Sequence, residues 1–234
     1  MSKVIVFGNQ KGGVGKSTCT VLAATALAQP PFNLRVAVVD TDHQKSIAKG
    51  RLLDMEEFSG ALPYDVLPYN IRTFEQRARD LDQRHDLVFV DVAGKLDTDL
   101  PPEEQEISRV LLYADYLFVP FASGNYTLDA TLDYLRFVLR VREERAEKSR
   151  KLHVIGFVNM FRERSRNGRF LMGELGQIKQ AAGVPFMEHN LGLYTLFSEA
   201  DTLTSLYTDA RNTGQNDRVN FSLWLDELFD LVRN

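Results

Sequence analysis

The 234-residue chain has a single cysteine, Cys19. No disulfide can form within it, which fits a reducing compartment. No apolar run approaches the roughly 18 residues needed to cross a membrane, and the first residues show no signal-peptide hydrophobic segment. A soluble, cytoplasmic protein is therefore expected. Positive charge is not in excess, since 28 Lys and Arg stand against 32 Asp and Glu for a formal net charge of −4. That excludes a uniformly basic nucleic-acid coat, so any DNA contact has to use a local patch. Internal repeats, low-complexity tracts and long linkers are missing too, and one domain spanning 1–234 is expected.

What the chain does have stands at its start. Val4 to Phe7 is an unbroken apolar run, the pattern of a strand buried on both faces. Gly12, Gly13, Val14, Gly15, Lys16, Ser17 and Thr18 follow, and then VLAATALA, which reads as a helix. Strand, glycine-rich turn, Lys-Ser/Thr and helix make a phosphate-binding loop. Glycines let successive N–H groups curl around a polyphosphate, and the helix N-terminus adds partial positive charge. Lys16 is placed to reach the β- and γ-phosphates and the Ser17 hydroxyl to bind Mg²⁺. Where the common pattern has its first glycine this chain has Gln10, followed by a second lysine, Lys11.

Apolar runs alternate with helical patterns along the rest of the chain. Strands are predicted at 4–7, 36–39, 87–90, 117–119 and 154–158, with a weaker one at 64–67. Helices are predicted at 16–28, 44–53, 71–81, 103–113, 128–147, 170–182 and 221–232. The alternation implies an α/β fold, a mostly parallel sheet flanked by helices on both faces, with phosphate at the carboxyl ends of the strands.

Three further stretches bear on that end of the sheet. Asp40 and Asp42 close the second strand in VAVVDTDHQKS. Two carboxylates there can organise Mg²⁺ and an attacking water, or Asp42 can simply cap the next helix. Asp91 ends DLVFVD, the Walker B form, beside the metal. Asn159 follows the strand KLHVIGFV; its amide suits a base edge, or it caps a turn.

Two basic stretches and the C-terminus remain. RERSRNGR, with Arg162, Arg164, Arg166 and Arg169, reads as an arginine-dense loop that either contacts DNA phosphates or pairs with acidic neighbours. Residues 128–151 carry seven Lys or Arg, from Arg136 through Arg145 to Lys151, against Glu143, Glu144 and Glu147. They read as a solvated helix face or a partner surface. The amphipathic C-terminal segment puts Asp226, Glu227 and Asp230 on its polar side, so it is expected to pack on the core rather than on anionic lipid.

The two lysines bracketing KGGVGKST resemble the deviant Walker A motif of the ParA/MinD family, which are P-loop NTPases of the SIMIBI type. The resemblance implies ATP and Mg²⁺ as ligands and a homodimer that sandwiches two ATP molecules. It makes Lys11 a lysine acting in trans on the partner's phosphates and Lys16 the one acting in cis. Asp40 would lie near the metal with Ser17 and Asp91, and Asp42 would position the hydrolytic water. Gly94 would offer its N–H near the γ-phosphate, and Asn159 would read adenine. This chain departs from the family in carrying His43 and Val92-Ala93 where prolines are usual. The implied function is partition: the ATP dimer binds non-specific DNA of the nucleoid, and a ParB-like or other cargo adaptor stimulates slow hydrolysis that releases it. The alternatives are a MinD-like membrane-associated positioning ATPase and a metabolic P-loop enzyme of the same fold. The nitrogenase iron protein is excluded, because its bridging cluster needs two cysteines per subunit.

Overall fold

A computed structural model describes residues 1–93, 105–122, 125–146, 151–162, 164–207 and 215–233. Its centre is a sheet of six parallel strands: β1 (Lys3–Phe7), β2 (Val36–Asp40), β3 (Asp65–Leu67), β4 (Leu87–Asp91), β5 (Tyr116–Phe121) and β6 (His153–Val158), in the order β3-β2-β4-β1-β5-β6. Both β2 and β4 are buried at every position. An unbroken apolar run rather than an alternating one is what a sheet covered on both faces requires.

Eight helices are described: α1 (Lys16–Leu27), α2 (Ser46–Asp54), α3 (Ile71–Arg84), α4 (Glu106–Leu111), α5 (Asn125–Ala146), α6 (Arg166–Ala182), α7 (Thr195–Ser198) and α8 (Asn216–Arg233). One face of the sheet is covered by α3 to α6, through residues such as Phe74, Val110, Val138 and Leu171. The other face is covered by α1, α2, α7 and α8, through Leu22, Ile47, Phe197 and Trp224.

The C-terminal helix packs on the core as expected. Phe221, Trp224, Leu225 and Leu228 are fully buried, with the Trp224 ring 6.0 Å from Phe7 and 5.7 Å from Phe157. Its acidic side is employed: Glu227 accepts the N–H groups of Glu188 and His189, and Asp226 accepts the Tyr207 hydroxyl. Burying these rings contributes about 1.5–3 kcal/mol apiece, so packing holds α8 to the core.

Some elements differ from expectation. The helix predicted from 170 starts at Arg166, because Ser165 caps it by accepting the N–H of Gly168 at 2.8 Å. Arg166 and Arg169 therefore belong to α6 rather than to a loop. Arg145 does not join a solvated face. It is buried, and its guanidinium donates to the carbonyls of Leu111 and Ala114 at the end of α4 (2.5 and 2.6 Å). The short α7 carries too few residues for a periodic signal.

Candidate functional site

The strand β1 releases the chain at Gly8 into the glycine loop, and two polar side chains fasten its start. Asn9 is fully buried; its Nδ2 donates to the Pro120 carbonyl (2.9 Å) and Thr131 Oγ1 (2.8 Å), while its Oδ1 accepts the Lys11 N–H (2.9 Å). Gln10 donates from Nε2 to the Ala130 carbonyl (2.7 Å). The loop is thus tied to β5 and α5. Sequence reasoning missed Asn9; its one signal was a polar residue between an apolar strand and the glycines.

Gly13 and Gly15 have φ of +75° and +86°, where side chains are strained. A Cβ added at Gly12 or Gly13 would meet nothing within 4 Å, so the loop is open where these side chains would stand. At Gly15 it would come within 2.6 Å of Asn159 Nδ2. Gly15 is also the N-cap of α1, and no side chain caps that helix. Its first N–H groups therefore remain available to an anion, with no acidic residue in the first turn to repel one. Asn159 lies buried behind the loop, its Nδ2 donating to the Val14 carbonyl (2.7 Å). Lys16 is half-buried, and its Nζ donates to the Lys11 carbonyl at 3.2 Å. Burial lowers its pKa, opposed by the charges of Asp91 and Asp42. The Lys11 and Thr18 side chains are exposed.

Three carboxylates converge beside this loop. Asp40 and Asp91 are register partners at the ends of β2 and β4, and both are buried. The Ser17 hydroxyl donates to Asp91, at 2.8 Å from Oδ2 and 3.1 Å from Oδ1. Burial first, then the charges of Asp40 and Asp42, push the Asp91 carboxyl up to about 7 against that hydrogen bond. Asp40 Oδ2 accepts the Ala48 N–H in the first turn of α2 (3.0 Å), whereas Oδ1 is buried with no hydrogen-bond partner among the described residues. Burial raises the Asp40 pKa as well. Thr41 crosses to the Asp91 carbonyl through N–H and Oγ1, both at 2.8 Å, which steers Asp42 toward the site.

Asp42 does not cap α2. Its Oδ1 accepts the Gln44 N–H (2.8 Å) in a local turn, and α2 starts two residues later than expected, after Lys45. Lys45 has φ +50°, and its Nζ donates to the carbonyls of Asp40 and Tyr69, both at 2.8 Å. That lysine is a second residue the sequence did not reveal. Gly94 lies outside the described residues. Arg162, Arg164, Arg166 and Arg169 are all exposed around the start of α6. Among the described residues none of the four has a carboxylate partner.

The donor set fits a hard divalent cation. An Asp40 oxygen buried without a partner among the described residues, and an Asp91 carboxyl raised by burial and by Asp40 and Asp42, are both relieved by positive charge. Among the described residues no group of three or more His, Cys, Asp or Glu is placed to hold a metal ion by itself. A cation here takes further oxygens from a ligand, as Mg²⁺ does with polyphosphates.

Residues 5–201 match the model of the CobQ/CobB/MinD/ParA nucleotide binding domain. The chain belongs to that family. It is similar to a protein named ParA from Rhizobium radiobacter, 27% identical over 158 residues, which are 66% of this chain and 63% of that protein. The chain thus matches less than two thirds of that relative's length. A plasmid partition protein from Borrelia burgdorferi has the same fold, with TM-score 0.64, 17% identity and 99% of both chains covered. So does the ATP complex of a McdA variant from Cyanothece, with TM-score 0.67, 15% identity, and 98% of this chain and 96% of that one covered. Cobyrinic acid a,c-diamide synthase from Mycobacterium smegmatis, bound to an ATP analogue and magnesium, gives TM-score 0.62 at 17% identity, with 100% of this chain and 97% of that one covered. No described helix is long and apolar enough to cross a membrane.

Proposed function

We propose that this chain is a partition-type ATPase that closes into a dimer on ATP, binds DNA without sequence preference in that state, and lets go on hydrolysis. The observation that carries the reading is the Ser17–Asp91 contact beneath an open glycine cradle and an uncapped helix. This pairing brings the metal-binding hydroxyl and the Walker B carboxylate together. In the reaction, the loop N–H groups and Lys16 hold the phosphates, Thr18 lines the entrance, and Ser17 and Asp91, with Asp40 behind them, would hold Mg²⁺. Bound there, Mg²⁺ supplies charge neutralisation of the phosphate oxygens. Asp42 orients the attacking water. Asn159, its N–H committed to the loop, offers its carbonyl oxygen to the adenine amine.

Lys11 supports the dimer: it is exposed at the rim of the cradle, where a second chain can be reached. A γ-phosphate contacted from both chains favours the closed state, and its loss reopens it. The exposed arginines Arg162, Arg164, Arg166 and Arg169 form the DNA patch, and a ParB-like or other cargo adaptor stimulates turnover. The test is Lys11→Ala, followed by sedimentation with a non-hydrolysable ATP analogue. The variant binds nucleotide and stays monomeric; a normal ATP dimer contradicts the trans role.

The metabolic reading has the fold in common with cobyrinic acid a,c-diamide synthase but no residue cluster of its own. A MinD-like membrane role is disfavoured by α8, whose apolar side is consumed by the core.

A further inference from the structure

Of the ten large apolar side chains exposed among the described residues, five lie between positions 52 and 62: Leu52, Leu53, Met55, Phe58 and Leu62. Leu52 and Leu53 are each 67% exposed. Exposed apolar residues scattered singly need no explanation, whereas five within eleven positions do.

The segment is held in this pose from behind. The buried residues of α2 are Ile47 and Arg51. Arg51 donates from Nε to Thr202 Oγ1 (2.8 Å), from Nη2 to the Thr202 carbonyl (2.9 Å) and from Nη1 to the Tyr64 carbonyl (2.9 Å), and its guanidinium lies 4.3 Å over the Tyr64 ring. Asp54 accepts the Thr202 N–H and hydroxyl (2.8 and 2.6 Å). Rolling α2 to bury its leucines would break this network and strand a buried guanidinium, which costs several kcal/mol. The Phe58 ring lies over Gly60, where a Cβ would come within 2.7 Å of it, so the following turn is shaped as well. The apolar face is presented, not frayed.

Lys49 lies one turn before the leucines, and beyond it the exposed charge is acidic. Glu56 and Glu57 are exposed, and among the described residues neither has an ion-pair partner. Asp65, on the sheet's edge strand β3, is exposed next to Tyr64 and has one oxygen engaged by His85. Acidic charge around an apolar face repels anionic lipid and DNA. It also opposes a two-fold contact with a second copy, which would set the same glutamates against one another. A basic, apolar segment satisfies both features at once.

We propose that the 52–62 surface docks a partner protein through a short amphipathic segment with leucine-like residues on one side and Lys or Arg on the other. Ser17 and Thr18 share a cavity with Gly50, Asp54 and Thr202 behind the segment, but none of the five exposed apolar residues lines it, and the test does not depend on ATP binding. The probe is a labelled synthetic Leu/Lys helical peptide, with a Leu/Glu peptide as its counterpart, titrated into the full chain by fluorescence anisotropy. The Leu/Lys peptide binds saturably and the Leu/Glu peptide does not. L52S/L53S and E56K/E57K each weaken binding about tenfold or more, while L223S on α8 and Lys16→Ala leave it unchanged. Absence of saturable binding by the wild type, or undiminished binding by the two double variants, overturns the proposal. So does a change of sedimentation by L52S/L53S without peptide, which would make the surface a self-contact. Binding to phosphatidylglycerol vesicles that L52S/L53S abolishes overturns it in favour of lipid.

Discussion

The two ends of the sheet treat their carboxylates in opposite ways. At the amino end each aspartate is matched. Asp86 accepts the Arg35 N–H, Nε and Nη2 at 2.7–3.2 Å, and that guanidinium holds its carboxyl below the usual range. Asp82 takes the Ser2 N–H and hydroxyl, Asp115 takes the Val4 N–H, and Asp65 faces the buried His85 at 3.0 Å. At the carboxyl end Asp40, Asp42 and Asp91 crowd together, one buried oxygen has no partner among the described residues, and burial pushes two of the three pKa values up. Four residues with φ of +50° to +86°, Gly13, Gly15, Lys45 and Met160, sit at that end, against Asn33 ahead of β2 at the other. Crowded, raised carboxyls on one side and paired ones on the other separate the end that binds from the end that stabilises.

Substitutions at the two ends should therefore behave differently. The largest effect is expected at the cradle: Lys16→Ala weakens ATP binding by about 100-fold or more by calorimetry, since its charge meets the phosphates. Next comes Asp42→Ala, which keeps nucleotide affinity within a few-fold and slows single-turnover cleavage by about 10²–10³-fold. An unchanged cleavage rate would remove the water-positioning role. Asp91→Asn should split stability from function. It abolishes Mg²⁺-dependent turnover, yet it stabilises the nucleotide-free protein by roughly 1–3 kcal/mol, because a buried carboxylate crowded by Asp40 and Asp42 becomes a neutral amide. The pH sign follows from a carboxyl raised on folding. Its contribution is fully present below the unfolded pKa and is lost as pH rises through about 7, so the variant's advantage grows between pH 4 and 8 in thermal melts. The smallest effect is at the other end: Asp86→Asn lowers Tm slightly, because its partner pair is solvent-exposed, and leaves ATP cleavage alone. A gain in Tm there would break the comparison.

The core of the fold was legible because strands buried on both faces must be continuous apolar runs, and five of the six strands announced themselves that way. The sixth, β3, is three residues with only its rear half-buried, and it was correspondingly weak. Lys16, Ser17 and Asp91 were readable because phosphate chemistry fixes their spacing. Asn9 and Lys45 were not, since their work is to hydrogen-bond carbonyls distant in sequence. Arg145 misled for the same reason: a charge on a charged stretch gives no hint that a neighbouring helix end will bury it. Arg166 and Arg169 were placed in a loop because a glycine, Gly168, obscured the helix. That glycine is required there by packing, as a Cβ would lie 2.0 Å from the Arg162 carbonyl oxygen.

The most direct test of the account is binding to non-specific duplex DNA with ATP, with ADP and without nucleotide, at two salt concentrations. The account predicts binding only with ATP, falling steeply as salt rises because the arginines displace counterions from the phosphates. Binding that ignores the nucleotide, or no binding under any of these conditions, would contradict it.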